Sequence, residues 1–201
     1  GHVPSGVHES TKLMPWEQLP DVWKSKASYF AWLRGQMRKA WSRHPIKNAY
    51  KTKRRTRAEV GRKMDKATGR PQLVWALPCD QCGGVFPQSN VEVDHIIRAG
   101  SFKDWEDCEH WLMSLMQICF DDLQLLCKPC HKVKSYAETH NITFGEAQAQ
   151  KAAIQWLKDT PVTQQIKFLL SKGASAAECK TLKLRRLGYV YYFNTLMATI
   201  G

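Results

Sequence analysis

Four cysteines in two tight pairs, Cys79/Cys82 and Cys127/Cys130, have the residue type and spacing to close a tetrahedral zinc site. One Cys-x-x-Cys alone also serves thiol redox chemistry. Two of them, with Gly83-Gly84 supplying a tight turn in which backbone amides point at sulfur, predict a structural ion held by four thiolates. Such an ion has no open position, so any catalysis must fall to other side chains. The candidates lie between and beside the pairs: Asp94 and His95 within Val93-Asp94-His95-Ile96, and His131 directly after Cys130. An acid and two imidazoles can hold a second cation or move a proton near neutral pH.

The elements that must position these groups follow from pattern. Leu73 to Leu77 is an apolar run leading a strand into the first cysteine pair, and Val91 to Ile97 reads as a strand from its branched, partly alternating residues. Leu123 to Leu126 is a short strand into the second pair. Pro129 opens a helix carrying His131, Lys134 and Ser135 on neighbouring turns. Between them, Asp104 to Phe120 sets Trp105, Cys108, Trp111, Leu112, Leu115 and Met116 at helical spacing, with Asp104, Glu106, Asp107 and Glu109 at the dipole-favoured end, and predicts a helical insertion. Cys108, His110 and Cys119 read as structural parts of it.

The formal net charge of +12 is concentrated. Trp23 to Arg70 holds sixteen Lys/Arg against Glu59 and Asp65, leaving the rest of the chain near neutral, so this stretch looks like a contact surface for a polyanion, nucleic acid before membrane. Trp23, Ala27, Phe30, Leu33, Met37 and Trp41 make one apolar helical stripe, with Lys24, Lys26, Arg34, Arg38, Lys39 and Arg43 on the other surface. The alternative is a docked helix with a solvated basic face. Pro45 ends that helix or starts another, and Lys51 to Arg57 packs five positive charges into seven residues, expected to extend along a phosphate backbone. Glu59 to Ala67 reads as one more short basic helix, stopped by Gly69-Arg70-Pro71. After Thr139, helices are expected over Phe144 to Lys158, Thr163 to Ser171, Ser175 to Leu182 and on to Met197. With the Lys183/Arg185/Arg186/Tyr189/Tyr191/Tyr192 segment these fit a helix-turn-helix, or else a plain helical cap with an aromatic face.

Cys79-x-x-Cys82, Val93-Asp94-His95-Ile96 and Asp122 through Ser135 together resemble the HNH nuclease family in its zinc-ribbon form, over about the middle third of the chain. Phe30 to Gly35, onward to Trp41-Ser42-Arg43-His44-Pro45, resembles HNH proteins encoded by bacteriophages. The resemblance implies a ββα-metal finger and hydrolysis of phosphodiester bonds in DNA. It implies His95 as general base, with Asp94 and His131 holding one divalent cation, Mg²⁺ first and Mn²⁺ or Ni²⁺ as substitutes. The chain departs from the family at Asp122, where an Asn is usual. A carboxylate there can accept hydrogen bonds, orient a loop, or favour the imidazolium of His95, but cannot donate through an amide. Four residues after His131, Ser135 or a water would complete the cation's shell.

The expectation is therefore an α+β, mainly helical chain: a tail at 1–22, a basic helical DNA-binding region at 23–70, an HNH core at 71–140 with its insertion at 104–120, and a helical region at 141–201. The cofactors are a structural Zn²⁺ and a catalytic divalent ion. The function is a DNA endonuclease, nicking or homing among the options, and the partner is double-stranded DNA contacted by Arg34, Arg38, Lys39, Arg43, Lys51, Lys53, Arg54, Arg55, Arg57 and Lys134. The competing reading is a non-catalytic zinc-ribbon DNA-binding protein. With no run of eighteen apolar residues and no basic-apolar-small leader, a cytoplasmic home, that of a bacterial host if phage-encoded, is expected.

Overall fold

The computed structural model describes residues 13–200. Residues 1–12, most of the expected tail, lie outside the described residues. The fold is mixed helix and sheet, in two compact units built from interleaved stretches of chain: residues 1–55 with 95–124, and 56–94 with 125–201.

The first unit is helical, with α1 at Pro15–Gln18, α2 at Lys26–Ser42, α3 at Pro45–Arg54 and α4 at Cys108–Met116. Ser25 starts α2 by reciprocal capping: its hydroxyl accepts from the Ser28 N–H at 3.2 Å, and the Ser28 hydroxyl accepts from the Ser25 N–H at 3.1 Å. The apolar stripe is present on α2. Phe30 is fully buried against Phe102, Trp111 and Leu115, and Leu33, Met37 and Trp41 pack around them. Burying one such ring contributes about 1.5–3 kcal/mol. Trp23 lies ahead of the helix and packs on Tyr29 and Trp32 instead, with ring centroids 5.1 and 5.2 Å apart.

The insertion forms its helix, but only from Cys108, so Asp104, Glu106 and Asp107 precede it rather than filling its first turn. α3 begins with Pro45 at its first turn, where the missing N–H costs nothing, and the His44 ring accepts from the Ile46 N–H at 3.2 Å. Lys51 to Arg54, expected to run extended, form its last turn instead, where cations complement the negative end of the helix dipole.

The second unit opens with an antiparallel sheet in the order β1 (Thr56–Met64), β2 (Pro71–Pro78), β3 (Val85–Pro87). Glu59 to Ala67, expected as a basic helix, is therefore strand and turn. The reason is a two-residue alternation: Arg57 and Glu59 are exposed, Ala58 and Val60 half-buried, and Arg57 pairs with Trp75 and Glu59 with Leu73 across the ladder. The Asp65 carboxylate closes the hairpin by accepting from the Ala67 and Thr68 N–H groups at 2.8 and 3.0 Å. β4 (Val91–His95) and β5 (Leu123–Cys127) form a separate two-stranded ribbon, and β5 runs straight into α5 (Lys128–His140).

α6 (Phe144–Asp159), α7 (Val162–Ser171) and α8 (Leu182–Ile200) complete the second unit. The short helix expected at Ser175 to Leu182 is a single 3₁₀ turn, Ala177–Cys179. Of the side chains that suggested a DNA-reading helix, Lys183 and Tyr191 are exposed, while Arg185, Arg186 and Tyr189 are used for packing. Arg185 is buried, donating to Gln165 Oε1 at 2.8 Å and the Cys179 carbonyl at 2.9 Å; Arg186 donates to Tyr136 at 2.8 Å; Tyr189 stacks on Trp156 at 4.4 Å. Among the described residues no helix is long and apolar enough to cross a membrane.

Candidate functional site

The four cysteine sulfurs of the second unit lie within 4.8 Å of one another. Thiolates about 2.3 Å from a shared zinc stand roughly 3.8 Å apart at tetrahedral angles, so the set fits the ion. The chain reaches this geometry through its local turns. The Cys79 N–H donates to the Gly84 carbonyl at 2.8 Å, and the Gly83 N–H to the Cys79 carbonyl at 2.9 Å. Gly83 takes φ 70°, a left-handed conformation that a side chain would strain. Asp80 ties this turn to β5 twice: its N–H donates to the Leu125 carbonyl at 2.8 Å, and its carboxylate accepts from the Leu125 N–H at 2.6 Å. Burial opposes ionisation of Cys79, but amide hydrogens of Cys127, Cys82 and Gln81 outweigh it and bring the thiol down to about 7. Burial raises Cys127 and Cys130, and the Cys79 sulfur adds to the rise. One thiolate is thus ready near neutral pH, and a cation favours ionisation of Cys127 and Cys130.

The alternation of β4 turns Val91 and Val93 into the core and sets Glu92 and Asp94 on the other face. There they meet α5. His131 Nδ1 lies 2.6 Å from Glu92 Oε2, and His131 Nε2 lies 3.8 Å from Asp94 Oδ1. Two ligand atoms each about 2.1 Å from one ion can stand up to roughly 4.2 Å apart, so Asp94 and His131 can share a cation. Lys134 Nζ sits 2.7 Å from the second Asp94 oxygen and 2.6 Å from Glu138. Ser135 is exposed. Among the described residues the four cysteines are the one set of three or more metal-capable side chains that converge, so a cation at Asp94 and His131 would take the rest of its shell from water and substrate.

Electrostatics binds this cluster together. Burial by itself would raise the Asp94 carboxyl, but the His131 ring 3.8 Å away and the hydrogen bond from Lys134 hold it below its ordinary value. The neighbouring Asp94 carboxylate raises His131 above 6.5 against the effect of burial. Burial would lower Lys134, and its bonds to Asp94 and Glu138 reverse that. The His131 contribution to stability is complete below its ordinary 6.5 and fades as pH rises through the raised value, while that of Asp94 is complete above its ordinary 3.8 and fades as pH falls through the lowered value. Because a cation needs neutral His131, Mn²⁺ affinity in a titration should rise with pH with a midpoint above 6.5. Glu92→Gln should move that midpoint down and weaken binding about 10- to 100-fold, as loss of a carboxylate behind a ligating imidazole does.

His95 and Asp122 belong to the first unit. The His95 ring is buried against Trp41, centroids 4.3 Å apart, and Nε2–H donates to the Leu115 carbonyl at 3.0 Å. A neutral ring so held carries its lone pair on Nδ1. The Gln124 amide donates to the His95 carbonyl at 3.0 Å, and the Ile96 N–H donates to the Asp122 carbonyl at 2.8 Å. His95, Arg98, Ser114, Gln117 and Asp122 line a cavity of about 290 Å³. The Asp122 carboxylate accepts from the Cys119 N–H at 2.7 Å and its thiol at 3.2 Å, bonds that hold it below its usual range, with the His95 charge adding least. Of the options open for this carboxylate, orienting a loop is the one with hydrogen bonds behind it.

The expected DNA-contact residues divide. Lys39 on α2 and Arg43 just after it are exposed. Arg34 donates to the Phe102 carbonyl and Arg38 to that of Gly100, pinning the segment between them. Arg54 donates to Tyr50, Lys53 lies over the Phe120 ring, Arg57 lies over Trp75, and Lys134 pairs with Asp94. Three residues escaped sequence reasoning. Glu92 stands two positions before Asp94, hence on the same strand face, and Glu138 four after Lys134, hence on the same helix face; both signals were available. Arg98 carried none.

A curated protein named "Probable HNH endonuclease", from Lactococcus phage SK1, is 39% identical over 59 residues, 29% of this chain and 54% of that protein. The chain spans about half the length of this relative. No protein-family model matches the chain. No solved structure matches it. The similarity is to an HNH-type protein of a phage, over less than a third of the chain.

Proposed function

We propose that the chain is a metal-dependent endonuclease of HNH type that hydrolyses phosphodiester bonds in double-stranded DNA. The observation that carries this reading is the Asp94–His131 pair, 3.8 Å apart on a strand and helix that lead out of a four-cysteine cluster. Asp94 and His131 would hold a divalent ion, whose charge would offset that on the phosphate and on the departing 3′ oxygen. His95 takes the proton of the attacking water on Nδ1. Glu92 fixes His131 with Nε2 towards Asp94. Arg98 supplies positive charge at the cavity beside His95. Asp122 keeps the 119–122 turn in place, so Asp122→Asn, which retains an accepting oxygen, should leave cutting within a few-fold of wild type. A larger loss would mean that its charge is used.

One observation favours the alternative, a zinc-ribbon DNA-binding protein without catalysis: the Lys134 ammonium already satisfies one Asp94 oxygen. Plasmid incubated with the protein and Mg²⁺ or Mn²⁺ decides between them. Nicked or linear product is expected, and binding without cleavage in either metal would favour the alternative.

A further inference from the structure

The second unit carries a groove that no step of the proposed hydrolysis uses. It lies over the three-stranded sheet and the turn after β3, has a volume of about 710 Å³, and is lined among others by Lys63, Gln72, Trp75, Gln88 and Asn90. That volume is within the range of ligand sites rather than surface dimples.

Three features set it apart. Its polar lining is dominated by carboxamides, Gln72, Gln88 and Asn90, which both donate and accept in one plane. The Gln88 side-chain oxygen is buried without a hydrogen-bond partner, which costs free energy unless a partner arrives. Gly61 lines the same groove at φ 102°, and a Cβ there would come within 2.9 Å of the Pro87 ring, so only glycine lets the strand pass this closely. Beside the amides stand the exposed Lys63 ammonium and Trp75, 43% exposed, with the Arg57 guanidinium 5.2 Å from its ring.

We propose that this groove reads base edges of the DNA, selecting adenine through the carboxamides of Gln72, Gln88 and Asn90, with Lys63 and Arg57 meeting the phosphates alongside. The chemistry is specific. Adenine offers a donor and an acceptor side by side at N6 and N7, the pair a carboxamide matches with its oxygen and its NH₂. The cationic rim suits a polyanion, and a two-stranded β-ribbon such as β1–β2 is an element that the major groove admits. The inference rests on the nuclease reading for its DNA substrate and adds where sequence preference comes from.

The test is selection of duplexes from a random-sequence pool by the full-length protein without added Mg²⁺ or Mn²⁺, beside plasmid cleavage by the same preparation with Mn²⁺. Wild type should enrich sites with fixed A·T positions. Gln72→Ala/Gln88→Ala/Asn90→Ala, shown to be folded by its zinc content and circular dichroism, should lose that enrichment about tenfold or more while keeping its affinity for unselected DNA within a few-fold. Gln88→Glu, which preserves shape but removes the NH₂, should lower preference for adenine at one position. Unchanged selection by both variants would overturn the inference. Wild-type cleavage with no sequence enrichment would overturn it too, leaving the nuclease reading intact; enrichment with no cleavage would support the groove and count against the nuclease.

Discussion

His95→Ala is expected to lower plasmid nicking by about 10²- to 10⁴-fold while leaving DNA affinity near wild type, the loss that follows removal of a positioned general base. The argument has two parts. Among the singled-out imidazoles, His131 is engaged by Glu92 and Asp94 and suited to a cation, which leaves His95 for proton transfer. His95 is also held rather than merely present: its Nε2–H is committed to the Leu115 carbonyl, its ring to Trp41, and its own carbonyl to Gln124. A base so fixed loses little entropy on the way to the transition state. Alanine also removes a buried ring, so thermal unfolding of the variant should be followed in parallel, and His95→Gln offers a less disruptive partner. Equal cutting by wild type and both variants would remove His95 from the mechanism.

Loss of the zinc should be more drastic still. Purified protein is expected to contain about one zinc per chain without added metal. Cys127→Ser, or a strong chelator, should abolish the folded circular dichroism signal of the β4–β5 and α5 region. Structural zinc contributes roughly 10–16 kcal/mol to the folding of small zinc domains, as much as the whole net stability of about 5–15 kcal/mol that a typical domain has once opposing terms are counted. The local core at this place is thin: Cys79, Leu126 and Cys127 with Phe86 and Cys130 around them. Three of the four cysteines are themselves most of that core, while Cys82 is exposed. A folded, zinc-free protein would sink the four-cysteine assignment.

What the sequence disclosed, it disclosed through spacing. Cys79, Cys82, Cys127 and Cys130 converge as expected because two pairs on short turns have few other ways to satisfy four thiols, and the strand alternation that buries Val91 and Val93 necessarily puts Asp94 on the face where α5 delivers His131. The basic stretch was harder. Charge density at Lys51 to Arg57 says nothing about backbone conformation, and a partner 7 to 20 residues away decided that Thr56 to Met64 is a strand. The alternation Arg57-Ala58-Glu59-Val60 was present in the sequence but outweighed by the count of lysines and arginines. Arg185 and Arg186 left a helix-turn-helix and a plain helical cap both open, because a guanidinium on a helix does not disclose which carbonyls and amides it serves.

The interleaving of the two units bears on how the chain is born. Phe30 must wait for Leu115, 85 residues later, before its pocket exists. At the usual 5–20 residues per second of synthesis, that is about 4 to 17 s. Cys79 waits for Cys127 in the same way, about 2 to 10 s. The basic helix α2 thus leaves the ribosome with Phe30 covered by little more than its near neighbours Trp16 and Tyr29, and its aromatic stripe stays open to water or to a chaperone until the insertion arrives.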